Sequence, residues 1–278
     1  MHLENRVAII TGAGRGIGRA IALAYAQEGA KLTLAARTRS ELDETARQAQ
    51  ALGAEALVIP TDVSVQAQVD EMVRHTVDRY ATIDILVNNA YFIGPIGPLQ
   101  ETDVSAWMRT FQVNIVGPVL CCQAVLPVIR HQDRGKIINV TSATLARGQP
   151  PHRFRYLAAY FASKVALTQL TESLSYQLGG ENIQVNAMHP LGNTGGLEEA
   201  WNRLHALGEW TESFQEGTRS RPDLIQRSAA LAVFLASDAS GSLSGRVIKV
   251  TDDFASLPPR IPEIMASEVY TLRRVEWE

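Results

Sequence analysis

A phenol and an ammonium four residues apart are the chain's clearest means of moving a proton. Tyr160-Phe161-Ala162-Ser163-Lys164 opens a long helical pattern, and a spacing of four stacks both side chains on one helix face. An isolated phenol, with a pKa near ~10, is a poor acid or base at neutral pH, whereas a neighbouring cation favours the phenolate and lowers that value. The pair therefore points to a general acid for a ketone oxygen, with Lys164 as tuner and as a ligand for a cofactor ribose. Taken alone the pattern is common on helices, and a plain surface pair is the competing reading.

The second constellation is built to hold phosphate. Thr11-Gly12-Ala13-Gly14-Arg15-Gly16-Ile17-Gly18 follows a short apolar run and precedes a helical pattern. Glycines there let the backbone turn sharply and approach a pyrophosphate at the positive end of the helix. After the second apolar run comes Ala35-Ala36-Arg37-Thr38-Arg39. An acid in that turn would hold the ribose hydroxyls of NAD; here Arg37 offers a planar fork to the extra phosphate of NADP, and Arg15 can close on it from the other side. The turn favours NADP(H) over NAD(H). Asp62 has two open readings, acceptor for an adenine amino group or cap of the helix starting near Val65.

These groups need a scaffold, and the alternation of patterns supplies one. Seven β-branched runs, Val7–Thr11, Lys31–Ala36, Glu55–Pro60, Ile83–Asn88, Lys136–Ser142, Ile183–His189 and Arg246–Thr251, alternate with amphipathic stretches at Arg19–Gly29, Ser40–Gly53, Val65–Tyr80, Val104–Arg130, Ala158–Gly179 and Pro222–Ser237. The expected fold is α/β: a single Rossmann-type doubly wound domain over 1–278, with a seven-stranded parallel sheet and helices on both faces. Ligands would lie at the strands' C-terminal edge. Gly192 to Arg221, carrying Trp201, Trp210 and Phe214, reads either as a mobile substrate lid or as an ordinary surface insertion. The extension 255–278 would pack on its own domain or on a neighbouring subunit.

With 278 residues, 46% hydrophobic and 20% charged, disorder and a disulfide scaffold are excluded. A net charge of −3 gives no field for nucleic acid or anionic lipid. Cys121 and Cys122, adjacent in an apolar run, read as reduced core thiols. The first apolar run is too short for a signal or a membrane span, so a cytoplasmic protein with neither nucleic-acid nor membrane partner is expected.

From about Val7 to Val250 the chain resembles the short-chain dehydrogenase/reductase family, in the single-domain branch that includes acyl-carrier-protein ketoreductases. The resemblance rests on the glycine loop, Asp62-Val63, Asn88-Asn89-Ala90, Asn114, Ser142, and Tyr160 with Lys164, in that order. It implies Tyr160 as proton donor, Ser142 as the hydroxyl that orients the substrate oxygen, Lys164 as phenol tuner and ribose ligand, and Asn114 as anchor of a relay water. It also implies that Asn89 and Ala90 line the cofactor pocket, that Pro190 and Thr194 meet the nicotinamide end, and that the protein is a homo-oligomer, tetramer or dimer. No metal is expected.

Departures matter here. Tyr91 stands where the family usually has glycine, and Leu191 follows Pro190 where glycine is usual. The segment from Ser142 to Tyr160 is long and carries Arg147, Arg153 and Arg155, which would meet an anionic substrate or simply be solvated. Two functions follow: an NADP(H)-dependent oxidoreductase acting on a small-molecule ketone or secondary alcohol, or a non-catalytic NADP(H)-binding regulatory protein on the same fold. For the enzyme, a carrier-tethered ketoacyl group and a free cyclic, aromatic or terpenoid ketone are the candidate substrates.

Overall fold

In the computed structural model, which describes residues 1–142, 155–190, 198–208 and 222–271, all seven strands join one sheet. They are β1 (Val7–Thr11), β2 (Lys31–Ala36), β3 (Ala56–Pro60), β4 (Ile85–Asn88), β5 (Gly135–Val140), β6 (Ile183–His189) and β7 (Val247–Lys249). Every pairing is parallel, in the order β3-β2-β1-β4-β5-β6-β7. The order reverses between β1 and β4, which opens a crevice at their C-terminal ends.

Helices α1 (Gly16–Gln27), α2 (Arg39–Ala51), α3 (Gln66–Tyr80), α4 (Val104–Phe111), α5 (Gly117–His131), α6 (Ala158–Gln177), α7 (Glu198–Ala206), α8 (Pro222–Ala236) and α9 (Ile261–Met265) surround the sheet. Because side chains alternate across a strand, neighbours on β1 serve different cores. Ile10 joins Ile21, Tyr25, Leu231 and Leu235 under α1 and α8, whereas Ile9 joins Met72, Cys121 and Val125 under α3 and α5. Both cysteines are free and buried, as expected of core thiols.

Several boundaries depart from the sequence reading, among them the start of β4, at Ile85 rather than Ile83, and that of α1, at Gly16 rather than Arg19. The expected continuous helix Val104–Arg130 is interrupted by a wider π turn at Gln112–Val116. Pro118, four residues beyond Asn114, has no N–H to return to the Asn114 carbonyl, and its ring crowds that carbonyl, so the ladder opens there. β5 ends at Val140, two residues short of Ser142, and β7 pairs only over Val247–Lys249. The described part of the C-terminal extension packs on its own chain: Leu257, Ile261 and Ile264 are buried, and the Val247 N–H donates to the Tyr270 carbonyl at 2.8 Å.

Candidate active site

The glycine loop leaves β1 and enters α1 with backbone approaches that admit no side chain. Gly12 has φ +67°, and a Cβ on Gly18 would lie 2.2 Å from the Gly12 carbonyl oxygen. Asn89 closes the loop from the β4 side: its Nδ2 donates to the carbonyls of Thr11 at 2.9 Å and Gly12 at 3.2 Å. Thr11 Oγ1 accepts from the N–H groups of Asn89 and Ala90 and donates to the Val87 carbonyl. Arg19 and Thr45, which the sequence reading did not single out, brace the far side by bonding to the Gly14 carbonyl. At the mouth of α1, Arg15 makes no capping bond to the helix, and no acid occupies the first turn. The first N–H groups and the positive helix end are thus presented to an anion, as a pyrophosphate requires.

The loop forms one end of a cleft of about 990 Å³. Of the predicted site residues, Gly12, Arg15, Gly16, Ile17, Gly18, Arg37, Asp62, Val63, Asn89, Ala90, Ser142, Tyr160, Lys164 and Pro190 line it. Asn114 stands behind the lining, fully buried. Thr194 lies outside the described residues, as do Leu191, Arg147, Arg153, Trp210 and Phe214. Arg37 is exposed beyond the end of β2. Arg15, 62% exposed, sits 4.0 Å from the Glu41 carboxylate, a contact that solvent screening keeps weak.

The helix-cap reading of Asp62 does not describe its bonds. Its Oδ1 accepts from Ser64 N–H at 3.0 Å and Ser64 Oγ at 2.6 Å, and its Oδ2 pairs with Arg109 at 2.7 Å. The residue preceding α3 is Val65, and no side chain caps that helix. Burial works to raise the Asp62 carboxyl, but the Ser64 and Arg109 bonds outweigh it and hold the pKa below the usual range. Asp62 therefore ties the loop after β3 to α4, which fixes Val63 in the cleft wall. A basic partner at the foot of α4 was not legible, because Arg109 is separated from Asp62 by 47 residues.

At the other end, Lys164 and Tyr160 lie near one another on the first turns of α6. Lys164 Nζ is 5.8 Å from the Tyr160 ring centroid and donates to the Val140 carbonyl at 2.8 Å. The Ser142 hydroxyl is hydrogen-bonded to the Tyr160 phenol. The expected lowering of that phenol does not occur in this site. Burial, reinforced by the Tyr91 phenol and only partly offset by Ser142, pushes Tyr160 above its ordinary value. Burial also brings Lys164 down to about 7, which weakens the cation that was to do the tuning. His189, beside them in the lining, is held neutral by burial and by Lys249, with its pKa at about 4.

Asn114 acts through its side chain. Its Oδ1 accepts from the Phe92 N–H at 2.8 Å, while its Nδ2 donates to the Phe92 carbonyl and to Ser163 Oγ, each at 2.9 Å. Ser163 in turn donates to the Tyr160 carbonyl. The π turn, the loop after β4 and the start of α6 are thus held together around the phenol. No feature of the sequence marks Ser163, which stands between Tyr160 and Lys164 in one helical pattern.

The family model described as short chain dehydrogenase matches residues 6–203. The chain is 35% identical over 250 residues to "Short chain dehydrogenase/reductase astE" of Aspergillus oryzae, covering 89% of this chain and 94% of that one. Among solved structures, levodione reductase superposes with a TM-score of 0.80 at 28% identity, covering 91% of this chain and 99% of its own. NAD+-bound xylitol dehydrogenase gives 0.77 at 27%, covering 90% and 98%.

Proposed function

We propose, for a chain that belongs to the short-chain dehydrogenase/reductase family, that it is an NADP(H)-dependent oxidoreductase interconverting a ketone and a secondary alcohol, with Tyr160 as the acid/base group. The observation that carries this reading is the Ser142–Tyr160 hydrogen bond beside Lys164, at the end of a cleft whose other end is the glycine loop. The nicotinamide cofactor, when bound, supplies or accepts the hydride. During reduction negative charge collects on the carbonyl oxygen; the Ser142 hydroxyl holds that oxygen and the Tyr160 phenol gives it a proton. Lys164, anchored on the Val140 carbonyl, stands where its charge stabilises the phenolate left behind. Asn114 and Ser163 hold the first turn of α6 in place.

NADP(H) is preferred in this reading because Arg37 is exposed at the end of β2 with no acid among residues 35–39, and Arg15 faces the same space. The reading places Thr194 at the nicotinamide end and 192–221 as a substrate lid. α7, from the described part of that segment, supports it by lining the cleft through Ala200 and Arg203, with Leu207 just beyond its end. A small-molecule substrate, a single domain, cytoplasmic residence and a homo-oligomer complete it. Supporting the oligomer, the stretch Val104–His131 is apolar enough to cross a membrane by composition, is 44% buried in its most apolar window, and exposes Val104 and Met108. An exposed apolar face of this kind is what a second subunit covers.

The test is oxidation of NADPH and of NADH with a panel of ketones, with Tyr160→Phe as control. NADPH-dependent turnover that vanishes in Tyr160→Phe is expected. Turnover that survives it removes Tyr160 from the chemistry, and NADPH binding without turnover of any ketone favours the non-catalytic protein.

A further inference from the structure

The residue that departs from the family pattern lies inside the reacting centre. The Tyr91 ring lines the cleft with its centroid 6.2 Å from that of Tyr160, at 68°. Lys164 Nζ lies 5.9 Å from the Tyr91 centroid and 5.8 Å from the Tyr160 centroid, so one amine is shared by two aromatic rings. The backbone beside Tyr91 is pinned, because Asn114 bonds both the N–H and the carbonyl of Phe92. Further on, the Gly97 N–H donates to the Tyr156 carbonyl at 3.1 Å, which ties this loop to the segment entering α6. The loop after β4 therefore arches over the phenol, with Tyr91 held at its inner end.

The surroundings have a consistent polarity. Phe92, Ile96, Leu157, Phe161 and Leu207 line the cleft and are buried or half-buried, while the lining residues Glu101, Asp103 and Arg203 are exposed. These charged groups stand at the mouth, and apolar surface lies deeper, around the buried Lys164. A glycine at position 91 would leave beside Tyr160 a space of ring size open to water.

We propose that Tyr91 is a specificity-determining residue, whose ring makes the space beside the Tyr160 hydroxyl an aromatic wall and selects a flat, apolar cyclic or aryl ketone over an open-chain polyhydroxy ketone. A ring placed there gains edge-to-face contact with Tyr91 and buries apolar area against Leu157 and Phe161. A polyhydroxy chain brings hydroxyls that lose water against those same surfaces. The inference rests on the oxidoreductase reading and adds a substrate class to it.

The experiment compares kcat and KM with NADPH for tetralone and for fructose in the wild-type chain, Tyr91→Phe and Tyr91→Gly, alongside NADPH binding by fluorescence titration. The wild-type chain is expected to favour tetralone. Tyr91→Phe should keep that preference, and Tyr91→Gly should reduce it about tenfold, mainly through KM, the upper end of what one edge-to-face contact supplies. Binding of NADPH should be unchanged in both variants. A preference for fructose in the wild-type chain, or a preference that Tyr91→Gly leaves intact, overturns this inference alone. A failure of the wild-type chain to turn over any ketone while NADPH binds overturns the oxidoreductase reading and this inference with it. Loss of the tetralone preference in Tyr91→Phe as well would show that the phenol oxygen, not the ring face, makes the selection, and also counts against it.

Discussion

Replacing Lys164 by methionine should flatten the rise of folding stability between about pH 7 and about 8.5 in the nucleotide-free protein. Burial holds Lys164 at about 7 in the folded chain, whereas an unfolded lysine titrates near ~10.4. Across this window the unfolded chain keeps the proton and the folded chain sheds it, so stability increases with pH. At about pH 7 half of the folded molecules carry the proton and at about 8.5 almost none do, which makes the lysine's contribution to the rise about 2 kcal/mol. Lys136 is lowered to about 8 by burial and by nearby Arg6, against the pull of Asp238, and adds about 1 kcal/mol by the same arithmetic. His189, at about 4, completes its own rise below the window. Above about 8.5 the rise is increasingly opposed, because burial raises both Cys121 and Cys122 and unfolded thiols lose their protons first. Urea denaturation at constant ionic strength measures the slope. Lys164→Met should retain only the Lys136 share, about 1 of about 3 kcal/mol, and a variant that keeps the whole rise refutes the assignment of a depressed lysine at this site.

Other substitutions probe the rest of the cleft. Gly18→Ala places a Cβ 2.5 Å from Asn89 Nδ2 and nearer still to the Gly12 carbonyl; NADPH affinity by fluorescence should fall at least about tenfold, and unchanged affinity would contradict the close approach. Asn89→Ala leaves the Thr11 and Gly12 carbonyls without their side-chain donor, and should lower unfolding free energy by about 2–3 kcal/mol; a loss under about 1 kcal/mol in urea melts means that water replaces the amide. Arg37→Asp should shift the NADPH/NADH ratio of kcat/KM toward NADH by about tenfold, the lower range for a charge-assisted bond at an exposed position. An unaltered ratio removes Arg37 from cofactor choice.

The sheet was readable because its inner strands β1, β4, β5 and β6 are buried on both faces and so appear as continuous apolar runs. β1, β2 and β6 begin and end where the pattern does. The pattern overruns the ends of β5 and β7 because Thr141, Val250 and Thr251 continue a β-branched composition past the point where a partner strand stops pairing. Composition carries no information about a neighbour's length. The break at Gln112–Val116 is present in the sequence as Pro118, but the apolar periodicity on both sides of it is uninterrupted, and periodicity alone predicts one helix.

At the site, residue type disclosed which groups gather but not which way their polar atoms face. Asn89, Asn114 and Asp62 each carry hydrogen-bonding groups of the kind a ligand needs, yet each spends them on the protein: on Thr11 and Gly12, on Phe92 and Ser163, on Ser64 and Arg109. Those partners are separated from them by dozens of residues in several cases, so spacing along one helix could not reveal them. The same limit applies to the Tyr160–Lys164 pair. The spacing of four correctly brings the side chains together, but the sign of the pKa change depends on how much water the surrounding elements remove, and here desolvation is the largest cause at both groups.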